Sequence, residues 1–122
     1  MSVGIVGGSV SPSTALNTNA QTGTTYTFVL TDANNTVVEL NNASAITATI
    51  PLNSSVAYPI GAQIQLLQTG AGQVSVAVTA GVTLNVSPSA GTNAGKLRAQ
   101  WSFATLIKRG TETWVLVGEV TA

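Results

Sequence analysis

Four carboxylates, Asp32, Glu39, Glu112 and Glu119, are the side chains that could furnish a catalytic acid and base. A glycosidase needs two carboxyl groups that face each other about 5 to 10 Å apart. Asp32 and Glu112 fall in expected turns, whereas Glu39 and Glu119 lie on or near the ends of expected strands. Nothing in this spacing brings two of them together. We therefore expect solvated turn charges, no catalytic residue and no enzymatic activity.

The sequence holds no histidine and no cysteine. A Ser-His-Asp triad, a cysteine nucleophile, a disulfide framework and the common zinc sites all depend on these two residue types. Asp32-Ala33-Asn34 is similar to the start of a calcium loop, but the later ligands and the terminal Glu of such a loop are missing. An Asx turn explains this segment better. We expect no metal ion and no cofactor.

The basic residues form one grouping late in the chain: Lys96, Arg98, Lys108 and Arg109. Arg98 and Lys108 have the same parity in one alternating segment, so we expect them to face the same side of a strand. Two interpretations stay open, contact with an acidic partner surface or a solvated edge that prevents strand-to-strand aggregation. Four basic residues balance four acidic ones. Nucleic-acid binding normally needs a basic field, so we expect no nucleic-acid partner.

Aromatic side chains are few, and alternation assigns most of them to the core. Tyr26, Trp101 and Phe103 occupy expected core-facing positions. Trp114 and Tyr58 are the two that could be exposed and could stack on a sugar. Glycan binding through this pair is a disfavoured alternative.

Charged residues make up 7% of the sequence, against about 25% in an average soluble domain. None lies before Asp32, and none lies between Leu40 and Gly95. One interpretation is a neutral, Thr-rich β surface that faces solvent. The other is a surface covered by further subunits, because interface cores are depleted in Lys, Glu and Asp. We favour the second interpretation.

Residues 1–23 consist mainly of Gly, Ser, Thr, Asn and Ala with isolated apolar residues, a composition typical of an arm or linker. This extended N-terminal arm lies along its own domain or docks on a partner subunit, and we favour docking. The residues expected to contact a partner are the apolar residues of the arm and three basic residues: Val3, Ile5, Val6, Val10, Leu16, Arg98, Lys108 and Arg109.

No targeting or membrane segment is apparent. The first eight residues contain no Lys or Arg and no sustained apolar stretch, unlike a secretory signal. No window approaches the roughly 18 consecutive apolar residues of a spanning helix. We expect a protein that is made in a cytoplasm and has no membrane partner.

From Thr25 onward, apolar and polar residues alternate with period 2, which predicts half-buried strands. Strands are expected over residues 25–31, 36–40, 46–50, 63–68, 74–78, 82–86, 97–108 and 113–120. Ala80-Gly81 is interpreted as the loop of a hairpin. No segment has an apolar repeat of helical period. The pattern indicates an all-β domain over residues 24–122: an antiparallel, jelly-roll-like β-sandwich or small barrel of about seven to nine short strands.

Five segments carry a family resemblance: residues 54–64 (SSVAYPIGAQI), 68–74 (QTGAGQV), 96–102 (KLRAQWS), 104–110 (ATLIKRG) and 113–118 (TWVLVG). Together they resemble a small β domain that recurs in structural proteins of tailed bacteriophages. This domain is found at the ends of tail-fibre and minor tail proteins and as short free-standing head or tail proteins. The resemblance covers about residues 24–120 and leaves residues 1–23 outside it.

The resemblance implies a virion structural role, a β-rich fold and trimeric assembly, and it carries no catalytic residues. A tail-fibre domain normally follows a long shaft-forming region, for which residues 1–23 leave no room. We therefore expect a capsid decoration (cement) protein on the virion surface, a homotrimer that binds the major capsid protein and stabilises the head. The alternative is a tail or tail-fibre module that binds a host receptor or a surface glycan.

Overall fold

A computed structural model describes residues 15–87 and 92–121. These residues form eleven strands and one short 3-10 helix, Leu30–Ala33. No helix within these two ranges is long and apolar enough to span a membrane. The strands are β1 (Asn17–Gln21), β2 (Thr25–Thr27), β3 (Thr36–Leu40), β4 (Ile46–Ile50), β5 (Gln63–Gln68), β6 (Val74–Val78), β7 (Thr83–Ser87), β8 (Ala94–Leu97), β9 (Phe103–Gly110), β10 (Thr113–Gly118) and β11 (Val120–Thr121).

The strands form two sheets that enclose one hydrophobic core. The first sheet has six strands in the order β1-β3-β5-β9-β10-β7, and the second has five in the order β11-β8-β6-β4-β2. Alternate residues of the inner strands are fully buried, for example Val38 and Leu40 in β3 and Ile46 and Ile50 in β4. The predicted all-β, sandwich-like fold is confirmed.

Strand direction differs from the expectation. From β1 to β6 the chain crosses to the other sheet at every connection, so β1, β3 and β5 run parallel, as do β2, β4 and β6. β7 is also parallel to β10. The sheets are therefore mixed rather than wholly antiparallel, and the strands number eleven rather than seven to nine. Period-2 alternation reports which side chains face the core, and that is the same for either direction of pairing.

The expected hairpin around Ala80-Gly81 is wrong. β6 belongs to the second sheet and β7 to the first, so this connection carries the chain from one layer to the other. Gly81 has φ +102°, and the amide of Val82 donates to the carbonyl of Thr79 to close the turn. Gly tolerates this backbone conformation without strain, but a tight turn does not by itself show that its flanking strands pair.

Three of the expected strands are shorter than the alternation suggested, and the one expected over 113–120 ends at Gly118, before β11 of the other sheet. The strand predicted over 25–31 ends at Thr27, because the Asp32 carboxylate accepts the amide of Val29 (2.9 Å) and holds the following residues in the 3-10 helix. The segment predicted as one strand over 97–108 is split by a turn at residues 98–102, which moves the chain from β8 in the second sheet to β9 in the first.

The described part of the expected arm belongs to the sandwich. Asn17–Gln21 is β1, which pairs in parallel with β3 and forms one edge of the first sheet. Asn35 donates a side-chain hydrogen bond to the Ala15 carbonyl (2.8 Å), and Asn42 donates one to the Thr22 carbonyl (2.7 Å). Polar side chains from neighbouring turns therefore hold both ends of the edge strand.

Candidate functional site

Half of the charged residues are exposed. Of the eight charged residues in the sequence, Asp32 and Lys108 are buried, and Glu39 and Glu112 are half-buried. The four that are exposed are Lys96, Arg98, Arg109 and Glu119. The outer surface is therefore even poorer in charge than the composition indicated.

Lys108 is a structural residue and not a surface contact. Its position in β9 faces inward, and the residue is only 2% exposed. The ammonium group donates to Asn53 Oδ1 (2.6 Å) and to the Tyr58 carbonyl (2.7 Å). The expectation that Lys108 faces the same side as Arg98 is wrong, because the turn at residues 98–102 interrupts the alternation and Arg98 follows β8 in the other sheet.

The remaining residues expected to contact a partner fall into two groups. Leu16, Arg98 and Arg109 are exposed, with Leu16 directly before β1 and Arg109 at the hairpin end of β9. Arg98 follows β8 of the second sheet, whereas Arg109 belongs to β9 of the first. The others lie outside the described residues: Val3, Ile5, Val6 and Val10.

The outer face of the first sheet carries several apolar residues, which are divided by the hydrogen-bonded pair Thr105 and Gln65 (2.6 Å). Leu67 lies opposite Phe103 across β5 and β9, and Ile107 lies opposite Val115 across β9 and β10. We call Leu67, Phe103, Ile107, Val115 and Val117 the outer apolar patch; all five are half-buried or exposed. Among the described residues, the two charged ones on this face are Glu39, which lies opposite Leu67 and is half-buried, and Arg109, near the end of β9.

The outer face of the second sheet has a different character. Thr25, Thr47 and Ser75 lie side by side on the parallel strands β2, β4 and β6, and Thr27 and Thr49 form a second row. Lys96, next to Ser75 on β8, is the charged residue of this face within the described ranges. This face is a neutral, Thr-rich β surface, one of the two interpretations that the composition left open.

An exposed tryptophan sits beside the outer apolar patch. Trp101 lies in the turn at residues 98–102, is 64% exposed and has φ +71°. Its amide donates to the Gln68 carbonyl (2.6 Å), and the Gln68 amide donates to the Ser102 carbonyl (3.1 Å). The Ser102 hydroxyl also accepts the amide of Ala99 (3.0 Å). The backbone that presents the indole ring is therefore firmly held.

The conformation of Trp101 is costly for a bulky residue. Positive φ is uncommon outside Gly, Asn and Asp, and backbone strain of this type costs about 1–3 kcal/mol and persists where the surrounding structure enforces it. Strained and exposed positions of this kind cluster at functional sites. Phe103, the member of the outer apolar patch two residues later, is 40% exposed.

The expected core placement is wrong for Trp101 and Phe103, whereas Tyr26 does pack against the core. Trp101 and Phe103 are exposed instead of in the core, whereas Trp114 and Tyr58 are 1% and 3% exposed. Their rings pack edge-on with centroids 5.3 Å apart, and the Tyr58 hydroxyl donates to the Val29 carbonyl (2.6 Å). Trp114 and Tyr58 stabilise the core and offer no stacking surface to a sugar.

Asp32 anchors a polar network at the edge of the sandwich. Its carboxylate accepts hydrogen bonds from Asn19 Nδ2 (2.8 Å), the Tyr26 hydroxyl (2.6 Å) and the Val29 amide. Gln21 Nε2 donates to Asn19 Oδ1 (2.8 Å) and so orients the amide of Asn19. Among the described residues, no three side chains of the metal-ligating types come together in a way that could hold a metal ion.

The two tyrosines make stability sensitive to alkaline pH. Burial raises the pKa of Tyr26 above its ordinary value of about 10, with a further contribution from its hydrogen bond to Asp32. Burial also raises the pKa of Tyr58, and the negative charge of Asp32 adds to the effect. The folded state therefore holds both phenolic protons more tightly than the unfolded chain does.

We expect the free energy of unfolding to decrease as pH rises above about 10, because the unfolded chain then loses phenolic protons that the folded state retains. Below that pH this contribution is fully present. Urea unfolding at a series of pH values measures the slope. Replacing Tyr26 and Tyr58 by Phe should flatten it, and an unchanged slope in the double variant would contradict the assignment to these hydroxyls.

The search against protein-family models finds no family that matches the chain, and the search of curated proteins finds no relative.

Proposed function

We propose that the chain is a non-enzymatic structural protein of a bacteriophage virion, a capsid decoration protein that binds the major capsid protein as a homotrimer and stabilises the head. The observation that carries the proposal is the outer apolar patch with Trp101 at its border, on a surface that exposes four charged side chains. The sequence resemblance to small phage structural domains supplies the biological setting. Capsid surface rather than tail is the proposed location.

The composition of this surface supports assembly. Cores of protein interfaces are depleted in Lys, Glu and Asp and enriched in aromatic residues. Trp is among the residues that dominate binding energy when it fills a pocket on a partner. A Trp held by a rigid turn loses little conformational freedom on binding, so more of its contact energy is retained.

The exposed basic residues complement the patch. Arg98 and Arg109 are free of any ion pair among the described residues and lie where the solvent reaches them. An acidic surface on the capsid subunit would be attracted to them, which affects the rate of association more than the final affinity.

Replacing Trp101 and Phe103 together by Ala tests the proposed surface. We expect the double variant to bind undecorated capsids of its phage at least about 30-fold more weakly, because each truncation removes an exposed aromatic contact and hot-spot residues cost 2 kcal/mol or more. Sedimentation velocity shows in parallel whether self-association is lost. Occupancy on purified capsids, measured by gel densitometry, gives the affinity.

Leu30→Ala is the matched control, because Leu30 is also about half exposed but belongs to the 3-10 helix between β2 and β3 and to no strand of the outer face. It should bind as the unaltered chain does. Removing residues 1–14 separately tests the proposed anchoring role of Val3, Ile5, Val6 and Val10 while keeping β1. A monomer that binds no capsid, or an aromatic double variant with full occupancy, would reject the proposed function.

A tail or tail-fibre module that binds a host receptor or glycan is the second candidate. It is favoured by one observation, the exposed indole of Trp101, since sugars stack on exposed aromatic rings. Loss of binding to host cells in Trp101→Ala, together with a copy number of a handful per virion, would favour this candidate over a head protein.

A further inference from the structure

An open polar groove lies where the two sheets end side by side. β1 is the edge strand of the first sheet and β2 the edge strand of the second, and the groove between them has a volume of about 620 Å³. Small-molecule sites in proteins have volumes of about 300–1,000 Å³. The groove is separate from the outer apolar patch, which lies on the other side of the first sheet.

Amide side chains take the place of core residues on β1. Asn17, Asn19 and Gln21 are in register with Thr36, Val38 and Leu40 on β3. Parallel neighbours in register share a face, so these three amides face the space between the sheets, as Val38 and Leu40 do. Apolar residues at these positions would extend the core. The inner face of the edge strand instead carries hydrogen-bonding groups.

The groove is rigid at its base. Asp32 is 1% exposed and accepts three hydrogen bonds, from Asn19, Tyr26 and the Val29 amide. Asp32 is therefore a positioning residue, which fixes the Asn19 amide and the Tyr26 ring before any ligand arrives. Sites whose groups are held in place by such secondary contacts lose less free energy on binding.

Other groups on the groove wall have hydrogen-bonding capacity to spare. The side chains of Thr31 and Asn34 line the groove, are exposed and have no hydrogen-bond partner among the described residues. Asn17 uses its Nδ2 group on the Asn34 carbonyl (3.4 Å), and its Oδ1 atom has no partner within the same ranges. The wall thus offers a hydroxyl, a complete amide and an amide oxygen.

We propose that this groove binds a neutral saccharide unit. The exposed side chains of its wall are uncharged, so they match the many donors and acceptors of a sugar without favouring an ionic ligand. Val29 and the Tyr26 ring add a small apolar surface that fits the C–H face of a sugar ring. The proposal concerns a different face from the capsid-binding surface and does not depend on it.

A ¹H–¹⁵N NMR titration of the full chain tests the proposal with glucose, galactose, mannose, rhamnose and N-acetylglucosamine and with their disaccharides. We expect at least one to shift the amide signals of residues 17–21 and 29–36, with a dissociation constant in the millimolar range or below. Thr31→Val and Asn34→Ala should each weaken binding by about 3- to 10-fold, because each removes one side-chain hydrogen bond. Both residues are exposed, so both variants should stay folded.

Thr47→Val is the control, since Thr47 is an exposed threonine on the outer face of the second sheet. It should leave the affinity unchanged. If none of these sugars shifts the groove signals, the proposal is overturned. The same holds if Ca²⁺ is the only added ligand that shifts them. Binding that is lost in Trp101→Ala and kept in Thr31→Val and Asn34→Ala would place the sugar on the aromatic turn instead. None of these results depends on capsid binding, so the two proposals fail separately.

Discussion

Gly72→Ala is expected to prevent folding or to lower the free energy of unfolding by at least about 3 kcal/mol. A Cβ atom at this position would lie 1.8 Å from the Ser44 carbonyl oxygen and 2.7 Å from that of Asn42. Both are backbone atoms, so no side-chain rotation can relieve the overlap. Circular dichroism and urea unfolding of the variant measure the loss.

The segment that Gly72 touches cannot easily move away. The Gly72 amide donates to the Asn42 carbonyl (2.8 Å), and the Asn42 side chain binds both the Ser44 amide and the Thr22 carbonyl. Directly beyond this contact, β4 begins its pairing with β6. A displaced turn would therefore disturb the central pair of the second sheet.

Gly23→Ala provides the matched control, because a Cβ there would meet its nearest neighbour at 3.5 Å, an ordinary contact distance. Its stability should stay within about 0.5 kcal/mol of the unaltered chain, as is usual for surface substitutions. If Gly72→Ala unfolds at the same urea concentration as Gly23→Ala, the close approach of the two turns in the structure is wrong.

The sequence predicted well whatever depends on burial alone. The strands predicted over residues 36–40, 46–50, 63–68 and 74–78 have the bounds that the structure has. In each of these segments, one set of alternate residues faces the common core, and the pattern reports that directly. Glycine is required at positions 70 and 72 for a physical reason, because both residues approach the backbone of residues 42–44 too closely for a Cβ atom.

The same pattern does not report whether two strands pair in parallel or antiparallel, or where the chain passes from one sheet to the other. The alternation Leu97, Ala99, Trp101, Phe103 continues through the turn at residues 98–102, where no Gly or Pro marks the change of sheet. That is why Trp101 was assigned to the core and Lys108 to the face of Arg98. Hydrogen bonds between distant residues, such as Trp101 with Gln68, decide these points and leave no local signal.

The polar groove was missed for a related reason. Residues 17–21 are Asn-Thr-Asn-Ala-Gln, in which Ala20 is the single apolar residue, so no apolar alternation marks a strand. Sequence analysis therefore assigned these residues to an arm. Backbone pairing with β3 and the hydrogen bond from Asn19 to Asp32 hold this strand in the sheet. Both join residues that are distant in sequence, so the local pattern does not indicate them. Alternating amides next to turn-forming residues are the signal that could have indicated such an edge.

Lys108→Ala is expected to lower the free energy of unfolding by about 2–4 kcal/mol, more than any other substitution of a basic residue in the chain. The ammonium group satisfies Asn53 Oδ1 and the Tyr58 carbonyl inside the protein. Without it, the buried Tyr58 carbonyl and the half-buried Asn53 side chain each have one hydrogen bond fewer. The backbone N–H of Asn53 also donates to the Glu112 carboxylate (2.9 Å). Loss of the lysine therefore weakens the contact between the loop after β4 and the β9–β10 turn.

Lys108→Met distinguishes the effect of the lost hydrogen bonds on stability from the effect of the lost side-chain volume, because Met fills similar space and cannot donate a hydrogen bond. It should remain destabilised by about 1–3 kcal/mol, since burying unsatisfied acceptors is costly even where packing is preserved. Arg109→Ala, next in sequence but exposed, should change stability by less than about 0.5 kcal/mol. Urea unfolding of the three variants decides the matter: if Lys108→Met and Arg109→Ala are equally stable, the lysine is not the internal donor that the structure describes, and its assignment to a partner surface would stand again.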